Sequence, residues 1–280
     1  MKPAPFEYRR PGTIAEAVTA LAGGTDSKVL AGGQSLVPLL SMRLAAPALL
    51  VDINAIPGLD TIEVEGEDGG VRVGALARHA AVLASPDVHR VQPLVPMALA
   101  HVAHATIRNR GTTVGSLVHA DAAAEMPAVL ALLGGSVEVE GPAGGRTIPA
   151  DELFVGPLES SLAHDEIALS AYFPALAPGA GVAFDEIARR HGDYALVGAA
   201  ALVDGDEVRV GYLSVADVPT VVDLSGVAEE ELGDAALTHL EPGDDIHATA
   251  EYRAQLVRVL TTRVVRSARE HAQQSREGRR

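Results

Sequence analysis

Apolar residues recur along this chain at two spacings, every second position in some segments and every third or fourth in others. Mixing the two periods within about 60 residues predicts helices interleaved with strands. Thr13-Ile14-Ala15-Glu16 sets a hydroxyl three residues before a carboxylate, the signature of a helix start. The helix it opens should run through Leu21 and stop at Gly23-Gly24. Residues 28–31 read as a short buried strand broken by Gly32-Gly33, 36–44 as a short helix and 49–53 as a further strand. The alternating residues 61–65 and 71–73, joined through Gly69-Gly70, predict a hairpin.

Residues 93–105 predict one helix, and 106–122 an irregular region. A helix over 127–133 and strands over 136–140 and 167–173 follow. Pro174 and Pro178-Gly179 mark a boundary. Beyond it, strands around 182–187, 195–203 and 208–215 precede helices around 229–240 and 248–271. Three strands and then helices imply a separate small lobe with an antiparallel sheet, so the fold class expected is α+β. The last helix is amphipathic and should pack within its own lobe.

Composition narrows the chemistry. With 37 acidic against 22 basic side chains the net charge is −15, which repels phosphate backbones and argues against a nucleic-acid partner. The basic end, Arg276 to Arg280, reads as a solvated tail. Cysteine is absent, so this chain offers no disulfide, thiolate metal site, cysteine nucleophile or iron–sulfur ligand. The start Met1-Lys2-Pro3-Ala4-Pro5 lacks the apolar core of a signal peptide, and no apolar run is long enough to span a bilayer. A cytoplasmic location is the expectation. His101 and His104 lie three apart on the expected 93–105 helix, a spacing that can bind metal, but no third ligand accompanies them. Packing or surface histidine is the favoured reading. No site metal and no catalytic acid, base or nucleophile is expected.

Two glycine-containing loops hold the candidate chemistry. Ala31-Gly32-Gly33-Gln34-Ser35-Leu36 lies between an expected strand and an expected helix. There, glycines let successive N–H groups converge on an anion near a helix start. By itself, a Gly-Gly turn before a helix is more often only a turn. The second loop, residues 106–117, holds Arg108-Asn109-Arg110-Gly111-Thr112-Thr113-Val114-Gly115-Ser116 between apolar flanks. Asp121 and Glu125 follow it, ahead of Met126-Pro127. Either acid alone suits a helix N-terminus, whereas together with the loop they suit ribose hydroxyls.

The ordered pair Ala-Gly-Gly-Gln-Ser (31–35) and Arg-Asn-Arg-Gly-Thr-Thr-Val-Gly-Ser (108–116), with an acid before Met-Pro, resembles the FAD-binding medium subunit of the molybdenum hydroxylases, the xanthine dehydrogenase and carbon monoxide dehydrogenase family. Phe6 to Pro11 and Gly192-Asp193-Tyr194-Ala195-Leu196-Val197-Gly198 extend the resemblance nearly end to end. It implies a vanillyl-alcohol-oxidase-like, PCMH-type FAD-binding domain over residues 1–176, with subdomains of about 1–57 and 58–176. A CO dehydrogenase flavoprotein C-terminal domain would occupy 177–280.

Carried over by position, Ala31, Gly32, Gly33, Gln34, Ser35 and Leu36, with Thr112, Thr113, Val114, Gly115 and Ser116, would hold the pyrophosphate and neighbouring FAD atoms. Asp121 and Glu125 match positions near the adenosine end. Ile107 and Leu169 would line the flavin, and Tyr194 would lie over its ring. The resemblance also implies a separate iron–sulfur small subunit with [2Fe–2S] clusters and a large subunit with the molybdopterin cofactor, arranged as a dimer of heterotrimers. Electrons would leave FAD for NAD⁺, oxygen, a quinone or another acceptor.

Where many relatives have Ile-Gly-Gly-Asn, this chain has Thr113-Val114-Gly115-Ser116, and a lysine that some relatives hold near the flavin aligns with Asp185 or Glu186. Two alternatives stay open here: a stand-alone flavin oxidoreductase on the same fold, and a scaffold that joins partners without flavin.

Overall fold

The computed structural model describes residues 2–24, 26–66 and 69–277. Three chain segments build three main sheets, and the first is formed within about 50 residues. Strand β1 (Glu7–Arg9), helix α1 (Ile14–Ala22), β2 (Ser27–Leu30), α2 (Leu36–Met42) and β3 (Leu49–Asp52) follow one another. The strands pair in parallel in the order β1-β3-β2. Parallel neighbours need a crossover, and α1 and α2 supply it. Thr13 caps α1 by accepting the Glu16 N–H at 3.2 Å. The Glu16 carboxylate reaches back to the N–H of Gly12 at 2.8 Å, one residue beyond the cap position expected.

The second segment opens with the antiparallel hairpin β4 (Ile62–Val64) and β5 (Val71–Gly74). Residues 67 and 68 of its turn lie outside the described residues. Six helices follow: α3 (His79–Ala84), α4 (Pro86–Val91), α5 (Leu94–Leu99), α6 (Ala105–Arg108), α7 (Thr113–His119) and α8 (Glu125–Leu133). The single helix expected over 93–105 is therefore two helices with a break. Ala103 adopts φ 42°, and the Arg108 guanidinium caps the freed carbonyls of Val102 and Ala103 at 2.7 and 3.0 Å. The region 106–122, expected to be irregular, is largely α6 and α7.

Strands β6 (Ser136–Gly141) and β7 (Gly144–Pro149), helix α9 (Ala150–Leu153), the small pair β8 (Phe154–Gly156) and β9 (Glu159–Ser160), and β10 (Ile167–Phe173) complete this segment. Its sheet runs β4-β5-β10-β6-β7. The alternation within β6 buries Val137 and Val139 against one continuous core that also takes in α1, α5 and α8.

The third segment is an antiparallel sheet, β11 (Gly181–Ala188), β12 (Ala195–Asp204), β13 (Glu207–Leu213) and β14 (Thr220–Asp223), one strand more than expected. Helix α10 (Leu232–Leu237) precedes α11 (Ala250–Glu277). Leu256, Leu260, Val264 and Ala268 repeat at the helical period and bury one face of α11 in the core of this sheet. Residues 278–280 of the expected basic tail lie outside the described residues, while Arg276 bonds the Gly179 carbonyl at 3.1 Å.

Helix α8 joins the layers. Almost every side chain on it is buried, as expected of a helix covered on all sides, and it touches α5, α7, β12 and β13. Gly211 on β13 makes the close approach possible, since a Cβ there would lie 3.1 Å from the Ala128 carbonyl oxygen. Among the described residues, no helix is long and apolar enough to cross a membrane.

Candidate functional site

The two glycine loops, almost 80 residues apart in sequence, close onto one another. A Cβ on Gly32 would stand 2.5 Å from the Arg110 carbonyl oxygen, 2.9 Å from Gly111 Cα and 3.0 Å from the Thr112 nitrogen. Only hydrogen fits there. Gly33 has a different need: its φ is +74°, the left-handed region, and its Cα faces Leu30 and Val37 rather than the second loop.

Beyond this contact, the N–H groups of Gly32, Gly33, Gln34, Ser35 and Leu36 donate to no acceptor among the described residues. All five residues are half-buried. The Gln34 amide folds back to the Gly32 carbonyl at 3.2 Å, and Ser35 precedes α2 without a side-chain capping bond. A row of five uncommitted amides beside a helix start is a donor set fitted to pyrophosphate oxygens. Ala31 packs against the core and anchors the row.

The second loop is the start of α7. Thr112 is its cap and accepts the Gly115 N–H at 3.2 Å. Thr113 is fully buried, with its hydroxyl 3.2 Å from Nδ1 of His79. Burial pushes the His79 imidazole down to about 4, so the ring is neutral at pH 7. Val114 is 1% exposed and belongs to the core. A branched side chain is accommodated at this position because the residue is helical and its side chain points inward. Thr112, Thr113 and Val114 are buried, with the Thr113 N–H donated to the Ala77 carbonyl at 3.2 Å, whereas Gly115 and Ser116 are half-buried. Ile107 on α6 is half-buried and joins neither large core, and Leu169 sits at the bulge of β10 with its carbonyl bonded to Ala75 at 2.8 Å. Leu169, unlike Ile107, packs against the core.

The segment 101–112 connects these loops to the third sheet. At one end Gly32 meets Arg110 to Thr112. At the other, a Cβ on Gly192 (φ +85°) would lie 2.7 Å from Nδ1 of His104 and 2.9 Å from the Ala103 carbonyl. The loop between β11 and β12, which carries Tyr194, is therefore set against the same segment. Tyr194 is 60% exposed and, with Asp121, lines a cleft of about 680 Å³. Loss of water around the phenol, and then the Asp121 charge, raise its pKa. Asp121 holds the Ala123 N–H at 2.9 Å through one oxygen.

Glu125, the first residue of α8, is buried. Burial, and secondly the charge of Glu186, push its carboxyl up to about 8, so at neutral pH it offers an O–H donor where the sequence suggested an acceptor. Glu186 on β11 lies where α5, α8 and β11 converge. Its side chain is 5% exposed, with one oxygen 3.4 Å from Nδ1 of His101 and the other without a partner. The two histidines at spacing three consequently part, His101 to Glu186 and His104 to the Gly192 loop. Sequence reasoning missed Asn54 and Arg78, and although it weighed His101 with His104 and set Asp185 or Glu186 against a lysine, it did not join His101 to Glu186. A carboxylate where some relatives hold lysine was the one signal for Glu186, and Asn54 and Arg78 carried none.

Residues 4–176 match the family described as FAD binding domain in molybdopterin dehydrogenase, and residues 182–268 match the CO dehydrogenase flavoprotein C-terminal domain. The chain belongs to this flavoprotein family. It is 40% identical to the alpha subunit of the 6-hydroxypseudooxynicotine dehydrogenase complex of Paenarthrobacter nicotinovorans, over 99% of each chain. It is 33% identical to the carbon monoxide dehydrogenase medium chain of Hydrogenophaga pseudoflava, over 96% of this chain and 98% of that one. Among solved structures, quinoline 2-oxidoreductase from Pseudomonas putida 86 superposes with a TM-score of 0.89 at 36% identity, covering 97% of this chain and 99% of that one. The family's FAD suits the residues present, since the amides of residues 32–36 stand unbonded at the seam of the two loops.

Proposed function

We propose that this chain is the FAD-binding subunit of a molybdenum hydroxylase, taking electrons from the iron–sulfur clusters of a partner subunit and passing them to an external acceptor. The observation that carries the reading is the closure of Gly32 onto Arg110 to Thr112 in a chain that this family matches over nearly its whole length. FAD, when bound, supplies two-electron redox chemistry, and the chain holds and orients it. Residues 31–36 and 112–116 cradle the pyrophosphate and adjoining atoms, the first loop chiefly through its uncommitted main-chain N–H groups. Asp121 accepts from hydroxyls at the adenosine end, with Glu125 beside it as a neutral acid. Ile107 and Leu169 line the flavin, and the Tyr194 ring covers it.

The finer layout we favour is a PCMH-type domain over residues 1–176, with subdomains of about 1–57 and 58–176, and a C-terminal domain over 177–280. Because this chain has no cysteine, the [2Fe–2S] clusters sit on a small partner subunit. A large subunit carries the molybdopterin cofactor, two such heterotrimers pair, and the assembly is cytoplasmic. Tagged chain recovered from its native host should bring down both partners and one releasable FAD per chain. Colourless chain that stays colourless after incubation with FAD would sink the reading in favour of a scaffold. Yellow chain without either partner would favour a stand-alone flavoprotein.

A further inference from the structure

Between the two glycine loops runs a strut of two side chains. Asn54, just past β3, donates from Nδ2 to the Ala31 carbonyl at 2.8 Å. Its Oδ1 accepts from Nη2 of Arg78 at 2.7 Å, and Nη1 of Arg78 donates to the Arg110 carbonyl at 2.6 Å. Ala31 opens the first loop, and Arg110 is the residue whose carbonyl faces Gly32. One continuous path therefore links the loops from carbonyl to carbonyl. Asp52 fixes its base, accepting the Asn54 backbone N–H at 2.9 Å and the side-chain amide at 2.6 Å, and itself receives the Tyr8 hydroxyl.

We propose that Asn54 and Arg78 are positioning residues for FAD, setting the separation and peptide orientation of the two loops. A trans peptide is planar, with its C=O and N–H pointing opposite ways. Tying the Ala31 carbonyl to Asn54 therefore turns the Gly32 N–H away from Asn54, at the head of the uncommitted row. Tying the Arg110 carbonyl to Arg78 holds the second loop against Gly32, where no side chain fits to set the spacing. The guanidinium reaches two acceptors at once, which an ammonium at the same position cannot do in one plane. Preorganising the donors before the ligand arrives removes an ordering cost from binding. Neither residue needs to touch FAD.

The proposal rests on the FAD reading above, and the test separates the two. FAD dissociation constants are measured on the full chain stripped of flavin, for wild type, Asn54→Ala, Arg78→Met, Arg78→Lys and the double variant Asn54→Ala/Arg78→Met. Hydrogen exchange and melting temperature of the flavin-free proteins are followed in parallel. Each single variant should weaken FAD at least tenfold, the double should be little weaker than the poorer single, and Lys should restore only part of the loss. Exchange should quicken at residues 110 and 111, whose N–H groups are bonded to the Ile107 carbonyl, with the amides of α8 unchanged. Single variants with wild-type affinity would overturn the strut, as would losses that add in the double variant and follow the melting temperature. Wild type that binds no FAD would overturn the parent reading and the strut with it.

Discussion

Glu186 and His101 meet at 3.4 Å, carboxylate oxygen to Nδ1, at the junction of α5 and β11, and the second Glu186 oxygen is sealed in without a donor. Glu125 opens α8 beside them. Hydrogen bonding to Glu186 raises the His101 pKa against the opposing effect of burial, with Glu125 and Asp185 adding smaller upward contributions. Two acids and an imidazole from three elements thus answer to one another's charge.

Stability should fall as pH rises because of Glu125. Its folded-state pKa of about 8 exceeds the model-compound value of 4.5, so between those values the folded chain holds a proton that the unfolded chain has released. The stabilisation is complete below about 4.5 and is lost as pH climbs through about 8; the raised His101 pKa acts in the same direction. Over that window the Glu125 contribution is at most roughly 5 kcal/mol, by about 1.4 kcal/mol per pH unit. Urea unfolding at several pH values should show a flatter dependence for Glu125→Gln. Equal slopes for variant and wild type would contradict the assignment.

Removing the Glu186 charge should reach both neighbours. In Glu186→Gln the His101 titration midpoint should move down, because its strongest upward influence is the bond to Glu186. Glu125 should move down too, having lost the adjacent negative charge. Imidazole NMR titration reads the first directly. A His101 midpoint that does not move would mean the pair is not formed in solution.

Adding one methyl group at Gly32 should separate the loops. The Cβ of Gly32→Ala would press on backbone atoms that cannot swing aside, and relieving such strain costs about 1–3 kcal/mol. FAD affinity should drop tenfold or more while the circular dichroism of the fold persists. At Gly33→Ala the loss should come from the left-handed backbone, about 1–2 kcal/mol. Gly24→Ala, with nothing within 4 Å of the new carbon, should leave flavin content unchanged. Equal FAD affinity in Gly32→Ala and Gly24→Ala would refute the loop contact as a determinant of the site.

Arg253 should matter for stability out of proportion to its place on α11. It is 6% exposed, and its Nη1 holds the carbonyls of Leu196 and Ser214, on β12 and just past β13. Arg253→Met keeps most of the apolar stem but strands both carbonyls, at a cost of about 2–4 kcal/mol. Chemical denaturation measures it. A loss below about 0.5 kcal/mol would show that water replaces the guanidinium.

Periodicity made much of the fold legible. Strands β10 and β12 and helix α11 lie close to where their apolar repeats put them, because a buried face repeats at the period of the element that carries it. Strands β7 and β14 escaped notice: β7 is mostly exposed and β14 buries one residue of four, so neither leaves much apolar signal. The break after Leu99 was hidden because both sides of it are apolar and its cause, the Arg108 guanidinium on two carbonyls, is a contact that hydropathy does not register.

The sequence by itself determined the family, the mixed strand-and-helix class, the two glycine loops and the absence of any cysteine ligand. Each of these is written in residue identity or in spacing along the chain. Only the tertiary structure decided that Gly32 is where the loops meet, that Val114 faces the core, that Asn54 and Arg78 bridge carbonyls almost 80 residues apart, and that Glu125 sits with Glu186 and His101. The partners in each case are brought together by chain crossings. A residue's own neighbours in sequence show whether it is buried, while what it is buried against depends on which strands and helices the whole core brings alongside it.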